Sequence, residues 1–174
     1  PNILLKKGPD SVFSGGPAPK ITFLRENPTK YRILVEKAAN PYTLVFSETF
    51  NREWKAFINT STGSKSEFSS LFASYLNGDV KEATHADKFL GDAPFKTLGL
   101  TPIPENRHQI VNGYANSWYI TPADANGQES YEIVIEYTPQ RLFYATILIS
   151  VAVFLVGAAY LITVMLRRIK VKAL

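Results

Sequence analysis

The feature that most constrains this 174-residue chain is an uncharged apolar run near its C-terminus. From Leu142 to Leu166 the sequence reads LFYATILISVAVFLVGAAYLITVML. At a helical rise of about 1.5 Å per residue, this run forms a helix of roughly 37 Å, longer than the ~30 Å hydrocarbon layer of a bilayer. A helix in a soluble core can also be apolar on all sides, but it rarely stays uncharged for so long. The run therefore predicts one transmembrane helix over residues 142–166.

The residues that flank the run predict its membrane interfaces and its orientation. Phe143 and Tyr144 stand at its start, where aromatic rings favour the headgroup region. Arg141 is the one basic residue close before the run, whereas four follow its end directly: Arg167, Arg168, Lys170 and Lys172. By the positive-inside rule, residues 167–174 form a basic cytoplasmic tail that meets membrane lipid, and the preceding domain is extracytoplasmic.

The charge balance and the cysteine content exclude several classes of function. The chain contains 19 Lys and Arg residues against 15 Asp and Glu residues. Because four of the cations belong to the tail, the preceding part is formally neutral, which removes the main electrostatic argument for nucleic-acid binding. The chain has no cysteine, which excludes a disulfide scaffold, a thiol nucleophile and cysteine metal sites.

The first residues bear on how an outer domain would be translocated. The chain begins at Pro1, and its first apolar run, NILL, is far too short for a secretory signal. Proline directly after a signal cleavage site is unfavourable for the peptidase. We therefore favour the C-terminal piece of a longer polytopic protein, in which upstream membrane helices would be partners of this chain. A processed single-pass subunit is the alternative.

Residues 20–138 show the alternation of a mainly β domain. Apolar and polar side chains alternate in short runs that end at Asn-Pro, Asn-Gly and other turn signals, as in half-buried antiparallel strands. The runs are KITFLRE from Lys20, KYRILVE from Lys30, YTLVFSE from Tyr42, WKAFIN from Trp54, HQIV from His108, YANSWYI from Tyr114 and SYEIVIEY from Ser130. We expect an antiparallel β-sandwich of jelly-roll type, preceded by an extended segment over residues 1–19.

Residues 60–108 interrupt the strand pattern. In SKSEFSSLFASYLNG the apolar side chains have helical spacing, Ser64 and Glu67 have the spacing of a capping box, and Asn77-Gly78 marks an end. We expect an irregular insertion with a short helix whose apolar face packs on the sandwich. Docking of that face to a partner is the alternative.

The stretch NGYANSWYI, residues 112–120, carries the candidate ligand site. Asn112-Gly113 predicts a tight hairpin. An amide beside an indole on one strand face fits a sheet rim better than a dry core, because the amide needs partners. Exposed rings stack on sugar C–H faces while amides bond the hydroxyls. Two roles for these aromatic residues are therefore open, packing in the core or forming a glycan-binding platform. We expect Trp54 in the core and Trp118 nearer the surface. The candidate glycan-binding residues are Tyr114, Asn116, Trp118, Tyr119, Trp54 and Glu48.

Three stretches together resemble a known architecture. They are FSETFNREWKAFI (residues 46–58), NGYANSWYI, and IEYTPQRLFY (residues 135–144), which runs directly into the apolar run. They resemble the C-terminal part of large polytopic bacterial membrane glycosyltransferases of the C type, the arabinofuranosyltransferase-like group. The resemblance covers roughly residues 28–166. It implies a carbohydrate-binding-module-like sandwich, anchored by the last helix, that binds or positions glycan or a lipid-linked sugar. The catalytic acidic residues of that family lie in early extracytoplasmic loops, so it assigns no catalytic residue here.

The sequence indicates no other catalytic, metal or cofactor site. His85 and His108 lie far apart without metal-ligand spacing, and both are expected at the surface. Glu48 and Glu53 could form the carboxylate pair that a glycosidase uses, but such pairs are common on surfaces. We expect a non-catalytic domain without a cofactor, which holds glycan or packs on its parent. A single-pass structural subunit of a membrane or cell-envelope complex is the alternative.

Overall fold

Turns that contain Asn, Pro and Gly divide the N-terminal part of the chain into short strands. The described strands are β1 (Ile3–Lys6), β2 (Lys20–Asn27), β3 (Lys30–Glu36), β4 (Tyr42–Thr49), β5 (Trp54–Asn59), β6 (His108–Val111), β7 (Ala115–Ile120) and β8 (Tyr131–Tyr137). The computed structural model describes residues 3–6, 17–61 and 96–172, with the side chains of 17–61 and 96–166. The chain divides into two units, residues 1–138 and residues 139–174.

The strands of the first unit form two antiparallel four-stranded sheets. Sheet I has the order β1-β4-β7-β6, and sheet II has the order β2-β3-β8-β5. Among the described strands, the hairpins β2–β3 and β6–β7 stay within one sheet, whereas the other consecutive strands pass from one sheet to the other. Alternation of this kind is typical of jelly-roll-like sandwiches. The predicted antiparallel β-sandwich, followed by one apolar helix, is confirmed.

Local turn chemistry explains why the predicted strand boundaries agree with the observed ones. Asn112 and Gly113 have φ angles of 55° and 79°, and the tight turn between β6 and β7 requires this left-handed backbone. Asn126 and Gly127 have φ angles of 52° and 75° in the turn that precedes β8. Because Gly and Asn adopt positive φ most readily, both turns could be located from sequence.

The N-terminal segment contains a strand that was not predicted. Residues 1–19 were expected to lie before the sandwich, but Ile3–Lys6 form an edge strand of sheet I. This strand pairs antiparallel with β4, from Ile3 opposite Phe46 to Lys6 opposite Thr43. The run ILLK shows no alternation of apolar and polar residues, so periodicity could not identify it.

The long insertion before β6 is described only at its ends. The helix predicted over residues 64–77 lies outside the described residues. From Lys96 onwards the chain is described, and Ile103 donates its backbone N–H to the oxygen of Ala56 at 2.8 Å. Phe57 and Pro102 form a β-bridge beside it. Residues 102–103 therefore pair with β5 at the edge of sheet II.

The core lies between the two sheets and is rich in aromatic rings. Phe46 is at its centre, with its ring edge-on to Tyr31 at 4.8 Å and to Trp54 at 5.0 Å between centroids. The ring of Trp118 lies 6.4 Å away. Edge-to-face pairs contribute about 0.5–1.5 kcal/mol beyond the burial of their area. The aliphatic residues around these rings come from both sheets: Ile33, Val35, Ile133 and Ile135 from sheet II, and Leu44 and Ile120 from sheet I.

The middle of the opposite face of sheet II is also buried, which the alternating pattern did not predict. Polar residues on this face were expected to contact solvent, yet Lys30, Arg32, Glu132 and Glu136 are more than nine-tenths buried. Arg32 donates from Nε to the carboxylate of Glu132. The ammonium of Lys30 lies 3.6 Å from the carboxylate of Glu136. Since each of these charges has a partner of opposite sign, the cost of removing them from water is offset.

The segment that follows the insertion contributes to this charged layer. Lys96 places its ammonium 3.6 Å from the Glu132 carboxylate, and Thr97 donates its hydroxyl to Glu136. Glu26 is buried nearby, and burial raises the pKa of its carboxyl group, against the opposing effect of the surrounding cations. Residues 96–97 are therefore attached to sheet II through charged and hydroxyl contacts.

The buried ion pair should matter more to stability than an exposed one. Glu132→Ala is expected to lower the free energy of unfolding by roughly 3–5 kcal/mol, because it leaves Arg32 buried without this carboxylate. The control is Lys20→Ala, which removes the solvent-exposed Lys20–Glu36 pair at 3.3 Å and should cost less than about 1 kcal/mol. Urea denaturation measures the free energy of unfolding of both variants. A loss for Glu132→Ala as small as that for Lys20→Ala would contradict the buried network.

Candidate functional site

Trp118, the central residue of the aromatic stretch, is a core residue. Its side chain is 0% exposed, compared with 8% for Trp54. The expectation that Trp118 lies nearer the surface is therefore wrong, whereas the core position of Trp54 is confirmed. The reason lies in the β6–β7 hairpin, where His108 is the register partner of Trp118. The imidazole covers the indole with parallel rings, 4.7 Å between centroids and 11° between planes.

Asn116 is fully buried, and irregular backbone at the end of β4 and in the loop that follows it satisfies its amide. The register between β4 and β7 shifts between Phe46 and Thr49, which leaves backbone groups without ladder partners. Nδ2 of Asn116 donates to the backbone oxygens of Glu48 at 2.9 Å and Thr49 at 3.3 Å. Its Oδ1 accepts the backbone N–H of Asn51 at 3.2 Å. The rim position expected for this amide is wrong, since the bulged end of β4 supplies its partners.

His108 extends this network and was expected at the surface. Its Nε2 lies 3.0 Å from Oδ1 of Asn116. Because Nδ2 of Asn116 points at carbonyl oxygens, Oδ1 is the acceptor, which assigns the proton of the neutral imidazole to Nε2. Nδ1 of His108 then lies 3.6 Å from the carboxylate of Glu105. Burial lowers the pKa of His108, against the opposing effects of Asn116 and Glu105. His85 lies outside the described residues.

The remaining candidate glycan residues do not share a surface. Tyr114 is 51% exposed in the turn before β7, whereas Tyr119 is half-buried near the other end of that strand. They are five positions apart in the chain, which is about 16 Å along an extended strand. Glu48 lies close to Tyr31, and burial together with this carboxylate, against the opposing effect of Arg25, raises the pKa of Tyr31 to about 12. The predicted glycan residues are thus divided between the core, a turn and a strand end.

Glu53, which could form a carboxylate pair with Glu48 but was expected to be an ordinary surface residue, is bonded to the end of β8. Thr138 donates its backbone N–H to the oxygen of Glu53 at 3.0 Å, and its hydroxyl lies 2.9 Å from the Glu53 carboxylate. Asn51 orders the same loop, because its Oδ1 accepts the N–H of Glu53 at 2.9 Å and its Nδ2 donates to the Tyr137 hydroxyl at 3.4 Å. Loop 50–53 therefore links the Asn116 network to Thr138, the residue before the C-terminal helix.

The C-terminal helix carries the candidate membrane contacts. It runs from Pro139 to Lys172, and proline is favoured as the first residue of a helix. Within the part of the chain that the structure describes, Pro139–Leu166 is the one helix long and apolar enough to cross a membrane. Its 28 residues extend roughly 42 Å at about 1.5 Å per residue. The helix thus starts three residues before the predicted span and continues into the basic tail.

The threonine and serine hydroxyl groups within the apolar segment are satisfied by the helix itself. Thr146 donates to the oxygen of Phe143 and Ser150 to the oxygen of Thr146, both at 2.8 Å. Thr163 donates to the oxygen of Ala159. Such bonds allow hydroxyl side chains to face hydrocarbon without an unsatisfied donor.

The predicted interface residues occupy the two ends of this segment. Phe143 and Tyr144 lie near its start, with ring centroids 6.0 Å apart. At the other end, Arg167, Arg168, Lys170 and Lys172 continue the helical backbone, and their side chains lie outside the described part of the structure.

Comparisons with known proteins provide no relative from which function could be transferred. No protein-family model, curated protein or solved structure matches the chain. The resemblance to C-type glycosyltransferases therefore stays a prediction that depends on three sequence stretches. Function has to be inferred from the fold and from the residues described above.

The burial of Trp118 predicts a structural effect of its removal. Trp118→Ala should lower the free energy of unfolding by roughly 3–5 kcal/mol, because it deletes a fully buried indole. Tyr114→Ala removes an exposed ring from the same stretch and should change stability by no more than about 0.5 kcal/mol. Thermal denaturation of both variants, with glycan-array binding of the wild type, is the measurement. A stably folded Trp118→Ala variant that has lost glycan binding would restore the platform hypothesis.

The buried histidine predicts a pH dependence of stability. The pKa of His108 in the folded state lies below the unfolded value of about 6.5. As the pH falls below 6.5, the unfolded chain therefore binds more protons, and stability decreases until the folded pKa is reached. His108→Gln should lack this component, so the stability difference between wild type and variant should narrow between pH 8 and pH 5. If the urea midpoints of wild type and His108→Gln change in parallel across this range, the lowered pKa of His108 is contradicted.

Proposed function

We propose that this chain is a non-catalytic, membrane-anchored β-sandwich module that acts through lipid and protein contacts. The observation that carries the proposal is the division of polar and apolar groups between its two units. In the described part of the sandwich, the residues with the clearest catalytic or binding chemistry, such as His108, Asn116 and Glu53, are engaged in internal hydrogen bonds. Between residues 142 and 166, the C-terminal helix instead exposes an uncharged apolar surface.

The basic cluster supports an orientation for the module. The four cations after Leu166 favour a cytoplasmic C-terminus, with the sandwich on the extracytoplasmic side. In this position, the sandwich is held at the membrane surface by the helix. The resemblance to C-type glycosyltransferases favours the C-terminal part of such a polytopic protein as its setting, where it packs on its parent near a lipid-linked sugar. A single-pass subunit of a cell-envelope complex is the second setting, and it gains weight because the core position of Trp118 removes the central ring of the glycan platform.

The orientation is tested by topology mapping. A green fluorescent protein fused after Leu174 should be fluorescent, and an alkaline phosphatase fused there should be inactive, because the C-terminus is cytoplasmic. Protease added to intact cells with a permeabilised outer envelope should remove residues before Tyr137 and leave the helix. As a control, replacing the four tail cations with Gln should produce mixed topology. An active phosphatase fusion in the unmodified chain would contradict the proposal.

A further inference from the structure

Two of the exposed apolar side chains in the sandwich lie beside the same turn. In the described residues before the C-terminal helix, the exposed large apolar side chains are Leu98, Ile110 and Tyr114. Ile110, 54% exposed, lies in β6, and Tyr114, 51% exposed, directly follows Asn112-Gly113. The turn itself contains no charged residue. We call residues 110–114 the hairpin tip.

The hairpin tip lies at the end of the sandwich from which the chain leaves for the C-terminal helix. Phe50 donates its backbone N–H to the oxygen of Tyr114, and Thr138 donates its backbone N–H to the oxygen of Glu53. Loop 50–53 thus contacts the hairpin tip through its first residue and the end of β8 through its last. Pro139, which begins the helix, directly follows Thr138.

We propose that the hairpin tip inserts into the lipid headgroup layer of the membrane that the C-terminal helix spans. The inference rests on the proposed function, because it requires that helix to be in the membrane. Four peptide units separate Thr138 from Leu142, so even a fully extended chain would keep these residues within about 14 Å of each other. A tyrosine ring with its hydroxyl favours the interface between water and hydrocarbon, and an aliphatic side chain gains from leaving water.

The adjoining loop fits the same partner. Arg52 is exposed in loop 50–53, and a guanidinium group matches the geometry of lipid phosphate oxygens. Lipid contact would thus account for the exposure of Ile110 and Tyr114, neither of which belongs to the core of the sandwich. A protein partner that covers the same tip is the alternative outcome of the test.

The chain contains no cysteine, so single-cysteine variants can be labelled at one position each. Tyr114→Cys and Ile110→Cys place a fluorophore on the tip. Gln128→Cys is the matched control, because Gln128 is exposed in the turn before β8. The seven residues of β8 separate this turn from Thr138 by roughly 20 Å. Leu155→Cys reports on the helix. The full chain is reconstituted in phosphatidylcholine vesicles that carry spin labels on either headgroups or acyl chains.

The expected result is loss of fluorescence from both tip probes with headgroup spin labels, little loss at Gln128→Cys, and loss at Leu155→Cys with acyl-chain labels. Equal, weak quenching at the tip and at position 128, with Leu155→Cys still quenched, would overturn this inference and leave the proposed function intact. A tip probe shielded from both lipid labels and aqueous iodide would indicate a protein contact and also overturn it. An unquenched Leu155→Cys probe would overturn the proposed function itself.

Discussion

The buried amide of Asn116 is the interaction on which one end of the sandwich depends. It joins the bulged end of β4, the start of loop 50–53 and His108 of the neighbouring strand, and its own side chain is fully buried. Loss of such an amide leaves buried backbone groups unsatisfied, which costs about 1–3 kcal/mol. The same loop holds Thr138 through Glu53, so the network also fixes the point where the chain leaves the sandwich. The polar residues of the aromatic stretch thus have a structural explanation.

The two units satisfy polar groups in ways that suit different surroundings. In the sandwich, buried charges and amides have partners from distant parts of the chain, such as Arg32 with Glu132. In the C-terminal helix, Thr146 and Ser150 bond only to the preceding turn of their own helix. Internal satisfaction of this kind is what hydrocarbon requires, whereas long-range pairing requires a packed domain. The proposed anchoring role follows from this difference, together with the exposed apolar surface of the helix.

Local signals allowed most strands to be predicted, whereas burial depended on distant partners. Alternation and turn residues such as Asn112-Gly113 act within a few positions, so seven strands could be located from sequence. The backbone partners of Asn116 lie about 65 residues away in the chain, which no local pattern contains. Lys96 and Thr97 likewise cover a face of sheet II that alternation alone would leave in solvent. One sequence signal was available for the site: a polar residue between aromatic ones needs hydrogen-bond partners, and irregular backbone can provide them.

Amide hydrogen exchange of the Asn116 side chain tests most directly whether this network is buried and structural. Nuclear magnetic resonance can follow its carboxamide protons alongside those of Gln109, which is exposed on β6. We expect the Asn116 protons and the backbone N–H of Asn51 to exchange only through global unfolding, with protection that falls in parallel with stability in denaturant. The Gln109 carboxamide should exchange at the rate of a free peptide. If Asn116 exchanges as fast as Gln109 while the core strands remain protected, the amide is accessible to solvent and the structural account of the stretch is contradicted.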